Sequence, residues 1–197
     1  FDVQKSLATR FNTTGSAGRK SGEKFMRQYF LVAKNVGDLT AIFCASLEEQ
    51  QKKPRARTRL PALFQRQKQV HGFKFGRGRL TMARADCFRN DPVNLIRVFH
   101  LADRFRLDIH PDTLREITRS VGLIGPELRA NQRANDLFLE ILTSKRAPER
   151  TLRRMNEAGV LGRFVPDFGR IVAMMQFNMY HHYTADEHLL RAIGLLS

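Results

Sequence analysis

The chain has 197 residues, 42% of them hydrophobic, and a formal net charge of +15 at pH 7. A chain of this length and composition can form one sizeable core or two small ones. It contains no run of about 18 apolar residues, which argues against a membrane-spanning segment, and its two cysteines are too few for a disulfide framework.

Both ends of the chain predict a fragment of a longer protein. The missing signal peptide and the two cysteines predict a cytoplasmic one. The first residues, FDVQKSLATR, do not begin with Met and lack the apolar core of a signal peptide. The last residues, LLRAIGLLS, stop inside an apolar helical pattern. In a reducing cytoplasm we expect Cys44 and Cys87 to be free, buried side chains.

The positive charge is concentrated in the first part of the chain. Residues 1–84 contain 18 Lys and Arg against 5 Asp and Glu, whereas residues 85–197 contain 16 against 14. Residues 52–84 contain 11 basic side chains and no acidic one, which would attract a polyanion or an acidic partner. Because runs of like charge usually stay solvated, we expect a basic linker at 52–71.

The first quarter of the chain predicts two helices separated by a loop. Residues 1–10 fit a helix, and the polar stretch 12–18 fits a loop. Between Glu23 and Gln51, apolar residues recur at spacings of three and four, which predicts the longest helix and a stripe typical of a core or helix–helix interface. The stripe residues are Phe25, Tyr29, Val32, Val36, Leu39, Phe43 and Leu47.

Residues 72–83 change to a period of two, which predicts a β-hairpin around a Gly-Arg-Gly turn. Its aromatic and basic composition resembles an RNA-binding surface. The alternation is explained more simply if Phe73 and Phe75 form its buried face. Since two strands alone are marginally stable, we expect the hairpin to pack on the helices.

Residues 91–122 predict a pair of helices around which the rest of the chain packs. Asp91 suits an N-cap and Pro92 the first helical position. His110-Pro111 starts the second helix, and Gly122 suits the position after its end. The apolar faces are formed by Leu95, Phe99 and Ala102, and by Leu114, Ile117 and Val121.

The remaining segments predict further helices, so the fold class is mainly α: a helical bundle with one small hairpin. One helix spans Leu137 to Leu142, and another runs from Pro148 to Gly159. Residues 160–167 suit a tight connection, followed by a helical stripe of Ile171, Val172 and Met175. A capping box at residues 184–187 begins the last helix.

Six arginines lie at helical spacings opposite these apolar stripes, where a solvated face is expected. They are Arg97, Arg104, Arg115, Arg119, Arg153 and Arg154. Acidic residues at 103, 108, 112 and 116 are mixed with them. A nucleic-acid groove would be one-sided, so the mixture argues against one.

Two stretches contain residue types that could bind phosphate or a metal ion. Residues 15–21, GSAGRKS, have the wrong spacing for a P-loop, and no carboxylate pair follows Gly15-Ser16 to hold magnesium. The second is the histidine group of His181, His182 and His188. Adjacent histidines point to different sides, so His181 and His182 cannot readily share one ion, and Asp186 or Glu187 could complete a metal site only with further residues downstream.

Several long segments resemble the bacterial bifunctional uridylyltransferase/uridylyl-removing enzymes of the PII nitrogen-signalling protein. The resemblance covers about residues 23–51 and 72–197. The segments are FMRQYF with VGDL, DPVNLIR, LDIHPDTLREITRS, FLEILTS and RTLRRMNEAGVLGRFVPDFGRIVAMMQFNMYHHYTADEHLLRAIG.

This resemblance implies an organisation and an activity. Residues 1–183 would be the helical domain and residues 184–197 the start of an HD phosphohydrolase domain, with nucleotidyltransferase and ACT domains elsewhere in the parent chain. The parent would use Mg²⁺ and UTP to uridylylate PII, and a divalent metal in the HD site to remove the group, under control by glutamine. By position His188 matches the first HD ligand. Its partner ligands would lie beyond Ser197, so the fragment alone would be inactive, with no catalytic residue of its own.

One alternative belongs to a different class of protein. A stand-alone basic helical module could bind RNA or DNA through residues 52–84, with an affinity that falls steeply with salt. A purely structural interaction domain is the third possibility.

Overall fold

The computed structural model describes residues 2–11, 19–51, 69–76, 78–174 and 184–197. Within these ranges the chain is mainly helical, as predicted. The helices are α1 (Asp2–Arg10), α2 (Arg19–Gln51), α3 (Cys87–Asn90), α4 (Asn94–Phe105), α5 (Pro111–Ser120), α6 (Pro126–Ala130), α7 (Gln132–Leu142), α8 (Pro148–Glu157), α9 (Leu161–Phe164), α10 (Pro166–Ile171) and α11 (Ala185–Leu196). None of these described helices is both long and apolar enough to cross a membrane.

The predicted hairpin is confirmed and belongs to a larger sheet than the one expected. The strands are β1 (Gln69–Val70), β2 (Phe73–Gly76), β3 (Arg79–Met82) and β4 (Asp108–Ile109), in the order β1-β2-β3-β4. The first three pair antiparallel, whereas β4 pairs parallel to β3. Strand β4 lies where a simple turn was expected, because the free edge of β3 binds it through the His110 N–H and the Leu80 carbonyl, 2.9 Å apart.

Helix α4 forms the centre of the core. Its residues from Asn94 to Ala102 are all buried, and α7, α8 and β4 contact it. Phe73 and Leu80 of the hairpin are fully buried in the same core, and Phe75 packs against it. The predicted apolar faces of the central helical pair are therefore confirmed, with Leu114 and Val121 partly buried.

Helix caps explain where these elements begin. The Asp91 carboxylate accepts a hydrogen bond from the Val93 N–H at 3.1 Å, but the predicted helix start is two residues early, because Val93 is the N-cap of α4 and the helix begins at Asn94. His110 accepts from the Asp112 N–H, and Pro111 opens α5 as predicted. Gly122 follows the C-cap residue Val121 as predicted, but it lies in a single 3-10 turn at Val121–Leu123 and lacks the positive φ of a glycine cap.

The predicted burial of the α2 stripe is wrong. The long helix is present, but five of its stripe residues are between 56% and 65% exposed. They are Tyr29, Val32, Val36, Leu39 and Phe43. Periodicity establishes that one face of a helix is apolar, yet the described part of this chain provides no neighbour that covers it.

Other predictions of burial were also corrected. Cys87 is buried, but Cys44 lies exposed on α2. Arg97 is buried instead of solvated, because its Nη1 donates to Asp91 Oδ2 at 2.7 Å and also to Asn94 Oδ1. The helix expected through Val172 ends at Ile171, and Met175 lies outside the described residues.

Candidate functional site

Helix α11 contains the candidate ligand His188 and begins where the sequence predicted. Thr184 occupies the N-cap position, but its side chain makes no capping hydrogen bond, so the capping box itself is wrong. The two acidic residues of its first turn bind other helices instead. Through them α11 is held against α8 and the end of α10.

Asp186 is a buried carboxylate, 5% exposed, that connects three parts of the chain. It accepts hydrogen bonds from Asn156 Nδ2 of α8 at 3.1 Å and from the Ala173 N–H at 3.2 Å. Ala173 has φ of 57°, a left-handed conformation that costs a residue with a Cβ roughly 1–2 kcal/mol. Asp186 therefore stabilises a strained turn while fixing the start of α11 on α8.

Glu187 forms the second connection between α11 and α8. Its carboxylate accepts from Arg153 Nη1 at 2.5 Å and from Arg191 Nε at 3.2 Å, and Arg153 also binds Glu149 at 2.7 Å. The hydrogen bond from Arg153 holds the pKa of Glu187 below its ordinary value, although burial acts in the opposite direction. The same pairing raises the pKa of Arg153.

These residues form what we call the α8–α11 cluster: Glu149, Arg153, Asn156, Asp186 and Glu187. Helix α2 contacts it from the other side, since Lys34 Nζ donates to the Asn156 carbonyl at 3.1 Å. A groove of about 310 Å³ lies between α2 and the cluster. Its polar lining is largely committed to these contacts, so the arrangement positions helices more than it offers a ligand site.

A second group of polar contacts attaches α8 and the residues just before it to α4 and β4. Asp103 accepts hydrogen bonds from Ser144 Oγ at 2.8 Å and from Arg146 at 3.3 Å. Asp108 accepts from Arg154 at 2.6 Å and Arg150 at 3.3 Å, and the Arg154 hydrogen bond lowers the pKa of Asp108. The mixed acidic and basic residues of the sequence are thus paired with one another, as expected for a surface that is not a nucleic-acid groove.

Three of the five residues predicted for a metal site, Asp186, Glu187 and His188, lie in the described ranges, in the first turn of α11. His188 lies on the exposed surface of α11, while His181 and His182 lie outside the described residues. Asp186 and Glu187 are engaged by Asn156 and Arg153, so they do not join His188. Across the described ranges, no group of three or more His, Cys, Asp or Glu side chains could hold a metal ion.

Sequence reasoning missed the α8–α11 cluster because its members are distant in the chain. Asp186 and Asn156 are 30 positions apart, and Arg153 and Glu187 are 34 apart. The acidic first turn of α11 was visible in the sequence, but a capping box explained it locally. Only the packing of α11 on α8 shows that these carboxylates bind a neighbouring helix.

The fold and these contacts define a class of protein: a mainly helical domain with a small mixed sheet, whose polar clusters join helices. Residues 73–164 match the family model described as the third domain of uridylyltransferase GlnD. The whole chain is 56% identical, over 198 residues, to a bifunctional uridylyltransferase/uridylyl-removing enzyme from Azospirillum brasilense. The chain belongs to this GlnD family.

The match also defines the extent of the similarity. It covers 100% of this chain and 21% of the Azospirillum relative, so the chain spans about a fifth of that protein's length. No solved structure matches the chain. The comparisons do not support the alternative of a stand-alone nucleic-acid-binding module, since the similar protein is a uridylyltransferase/uridylyl-removing enzyme.

Proposed function

We propose that this chain is the helical connecting domain of a longer bifunctional enzyme that transfers UMP from UTP to the PII protein and removes it again. Residues 1–183 form the helical domain and residues 184–197 the beginning of an HD phosphohydrolase domain. The proposal is supported by the 56% identity with an enzyme named for both activities. PII, glutamine and a cytoplasmic location follow from the same resemblance.

The α8–α11 cluster is the observation on which the connecting role depends. It attaches the helix that begins the hydrolase domain to the core of the helical domain through Asp186 and Glu187. Rigid elements with discrete arrangements can transmit a change between distant sites. A glutamine signal that moves α8 would therefore move α11 and the hydrolase site with it.

His188 is the residue of this chain that fits the hydrolase metal. Its side chain is exposed on α11, on a helix held in place by Asp186 and Glu187. Transition-metal sites take three or four ligands, so this imidazole would supply one, with the others contributed from outside residues 1–197. A bound divalent metal would activate water for hydrolysis of the uridylyl bond. Mg²⁺ and UTP belong to the transferase domain.

The test compares the two activities of the intact longer protein with and without His188. His188→Ala is expected to lower the release of UMP from uridylylated PII by on the order of 100-fold or more, because even supporting residues of metal sites contribute about 10–100-fold. Transfer of UMP to PII should stay within about twofold of wild type, since the substitution lies outside the transferase domain.

Leu189→Ala provides the matched control, because Leu189 is the next residue of α11 and is also exposed. It should leave both activities intact. Undiminished UMP release by His188→Ala would show that this histidine is not a metal ligand. Failure of the wild-type protein to transfer or release UMP would overturn the proposed enzyme function itself.

A further inference from the structure

Helix α2 exposes an unusual amount of apolar surface. We call Tyr29, Val32, Val36, Leu39 and Phe43 the α2 stripe, and each of these side chains is more than half exposed. Together they expose on the order of 500 Å², as large as the largest apolar patch of a typical monomer. Scattered exposed apolar residues are ordinary, but a continuous stripe indicates a surface that binds another element.

The spacing of the stripe indicates what kind of element binds. From Phe25 to Phe43 the apolar residues alternate spacings of four and three, which is the a/d pattern of two helices packed side by side. A helix facing a globular core normally has a broader apolar face. The narrow α2 stripe therefore fits a single partner helix better than a flat surface or a small ligand.

We call the a/d row of apolar residues from Phe25 to Phe43 the seam. Helix α1 already covers the first position of the seam. The ring of Phe11, at the end of α1, stacks on Phe25 with the ring centroids 5.8 Å apart. Beyond Phe25 the residues of the α2 stripe stay more than half exposed, although α5 also contacts α2. The positions flanking the seam are uncharged although the chain has a net charge of +15. They include Met26, Gln28, Ala33, Asn35 and Thr40.

The size of the stripe distinguishes between two sources of the partner helix. Two faces of about 500 Å² would bury roughly 1,000 Å², which lies within the range of contacts between domains of one chain. It lies below the 1,200–2,000 Å² of stable interfaces between separate proteins. The seam also spans fewer than the three or four heptads expected of a coiled-coil dimer. A contact within one polypeptide needs less area, because linkage raises the effective concentration to the millimolar range.

We propose that the α2 stripe binds an α-helix with an apolar a/d face, supplied by a part of the longer polypeptide outside residues 1–197. The inference rests on the proposed function, in which the chain is one domain of a larger enzyme. It is consistent with the Azospirillum relative, of which this chain covers 21%. The stripe is thus a second attachment surface, on the side of α2 away from the α8–α11 cluster.

The test places a photo-crosslinker at the centre of the stripe in the intact longer protein. Val36 is replaced by p-benzoylphenylalanine, the protein is irradiated, and the linked peptides are identified by mass spectrometry. The expected product is a monomer in which residue 36 is joined to a helical peptide outside residues 1–197. The same probe at Lys24, an exposed position off the stripe, should give little or none of this product.

Three results would overturn the proposal: a cross-link between two copies, a cross-link to a peptide within residues 1–197, or equal yields from positions 36 and 24. UMP transfer to PII is measured on the same preparation. An outside cross-link without transfer would leave the docking surface in place and contradict the proposed enzyme. Transfer without such a cross-link would contradict the docking surface alone.

A charge placed on the stripe provides an independent measurement. Val36→Glu should expose the stripe in the intact protein and increase the rate at which a thiol reagent labels Cys44 by at least about fivefold. Lys24→Glu places a carboxylate at the exposed control position off the stripe, and it should leave the labelling rate near that of wild type. Equal rates in the two variants would show that nothing covers this face.

Discussion

At the scale of single residues, two adjacent carboxylates of α11 have different roles. Asp186 is buried and accepts hydrogen bonds from neutral donors of α8 and of the turn at Ala173. Glu187 is partly exposed and accepts from Arg153 and Arg191. The connection through Asp186 therefore depends on hydrogen bonds in the core. The connection through Glu187 depends on charge and therefore changes with pH.

Glu187→Gln should reduce the acid sensitivity of the chain. Pairing with Arg153 lowers the folded-state pKa of Glu187 below its ordinary value of 4.5. A lowered folded pKa contributes stability that is fully present above the unfolded pKa and is lost as pH falls through the folded one. Wild type should therefore exceed the variant in urea midpoint at pH 6, and this difference should become smaller as the pH is lowered to 3.

Glu127→Gln is the control for this measurement, since Glu127 is an exposed carboxylate of α6. Its urea midpoints should follow wild type at both pH values. If Glu187→Gln kept the full difference from wild type at pH 3, the ion pair with Arg153 would not be the source of the effect.

At the scale of elements, two glycines show how packing determines the effect of one substitution. Helices α9 and α10 approach so closely that a Cβ at Gly169 would overlap the Gly162 carbonyl, which is backbone and cannot rotate away. Gly37 lies inside α2 with open space around it. An added methyl group should therefore destabilise the contact of α9 with α10 at Gly169, and it should stabilise α2 at Gly37.

Gly169→Ala should lower the free energy of unfolding by about 1–3 kcal/mol, the usual range for overpacking. Gly37→Ala should raise it by up to about 1 kcal/mol, because alanine favours the helix over glycine. Urea unfolding of the two variants measures both changes. Equal effects in the two variants would contradict the close contact between α9 and α10.

The contrast between α2 and α4 shows what periodicity can predict at this scale. Both helices have apolar residues at spacings of three and four, and both were predicted correctly as helices. The stripe of α4 is buried beneath α7 and α8, whereas that of α2 is exposed. Spacing predicts which face of a helix is apolar because the α-helix has 3.6 residues per turn, but it does not predict what covers that face.

At the scale of the whole molecule, α8 is the helix through which movement would pass. It contacts α4 through the hydrogen bond of Thr151 with Asp103, β4 through the ion pair of Arg154 with Asp108, and α11 through Arg153 and Asn156. In the proposed enzyme the helical core and the hydrolase domain meet at this helix. Weakening the contacts on one side of α8 should therefore change the glutamine control of UMP transfer and UMP release more than it changes the rate of either reaction.

Arg153→Gln tests this communication in the intact longer protein. Glutamine's effects on UMP transfer and on UMP release are measured separately, and the expected change in coupling is about 2- to 30-fold, corresponding to 0.5–2 kcal/mol. Arg170→Gln, which removes an exposed arginine paired with Asp167 of the same helix, should leave glutamine control intact. Unaltered glutamine responses in Arg153→Gln would remove α8 from the proposed route of control.

The sequence by itself determined the helices, most of their starts, the hairpin and the family. These features depend on local rules: the periodicity of apolar residues and the fixed φ of Pro111 and Pro148. The family resemblance rests on long continuous segments, which need no knowledge of tertiary contacts. The metal role of His188 is also predicted from this family resemblance.

Only the tertiary structure decided which polar residues meet and which apolar faces are covered. Asp186 contacts Asn156, and Glu187 contacts Arg153, because α11 packs on α8 although the paired residues are 30 and 34 positions apart in the chain. Strand β4 forms because the edge of β3 lies beside it. The α2 stripe is exposed, against the local pattern, because burial depends on neighbours that are distant in the chain.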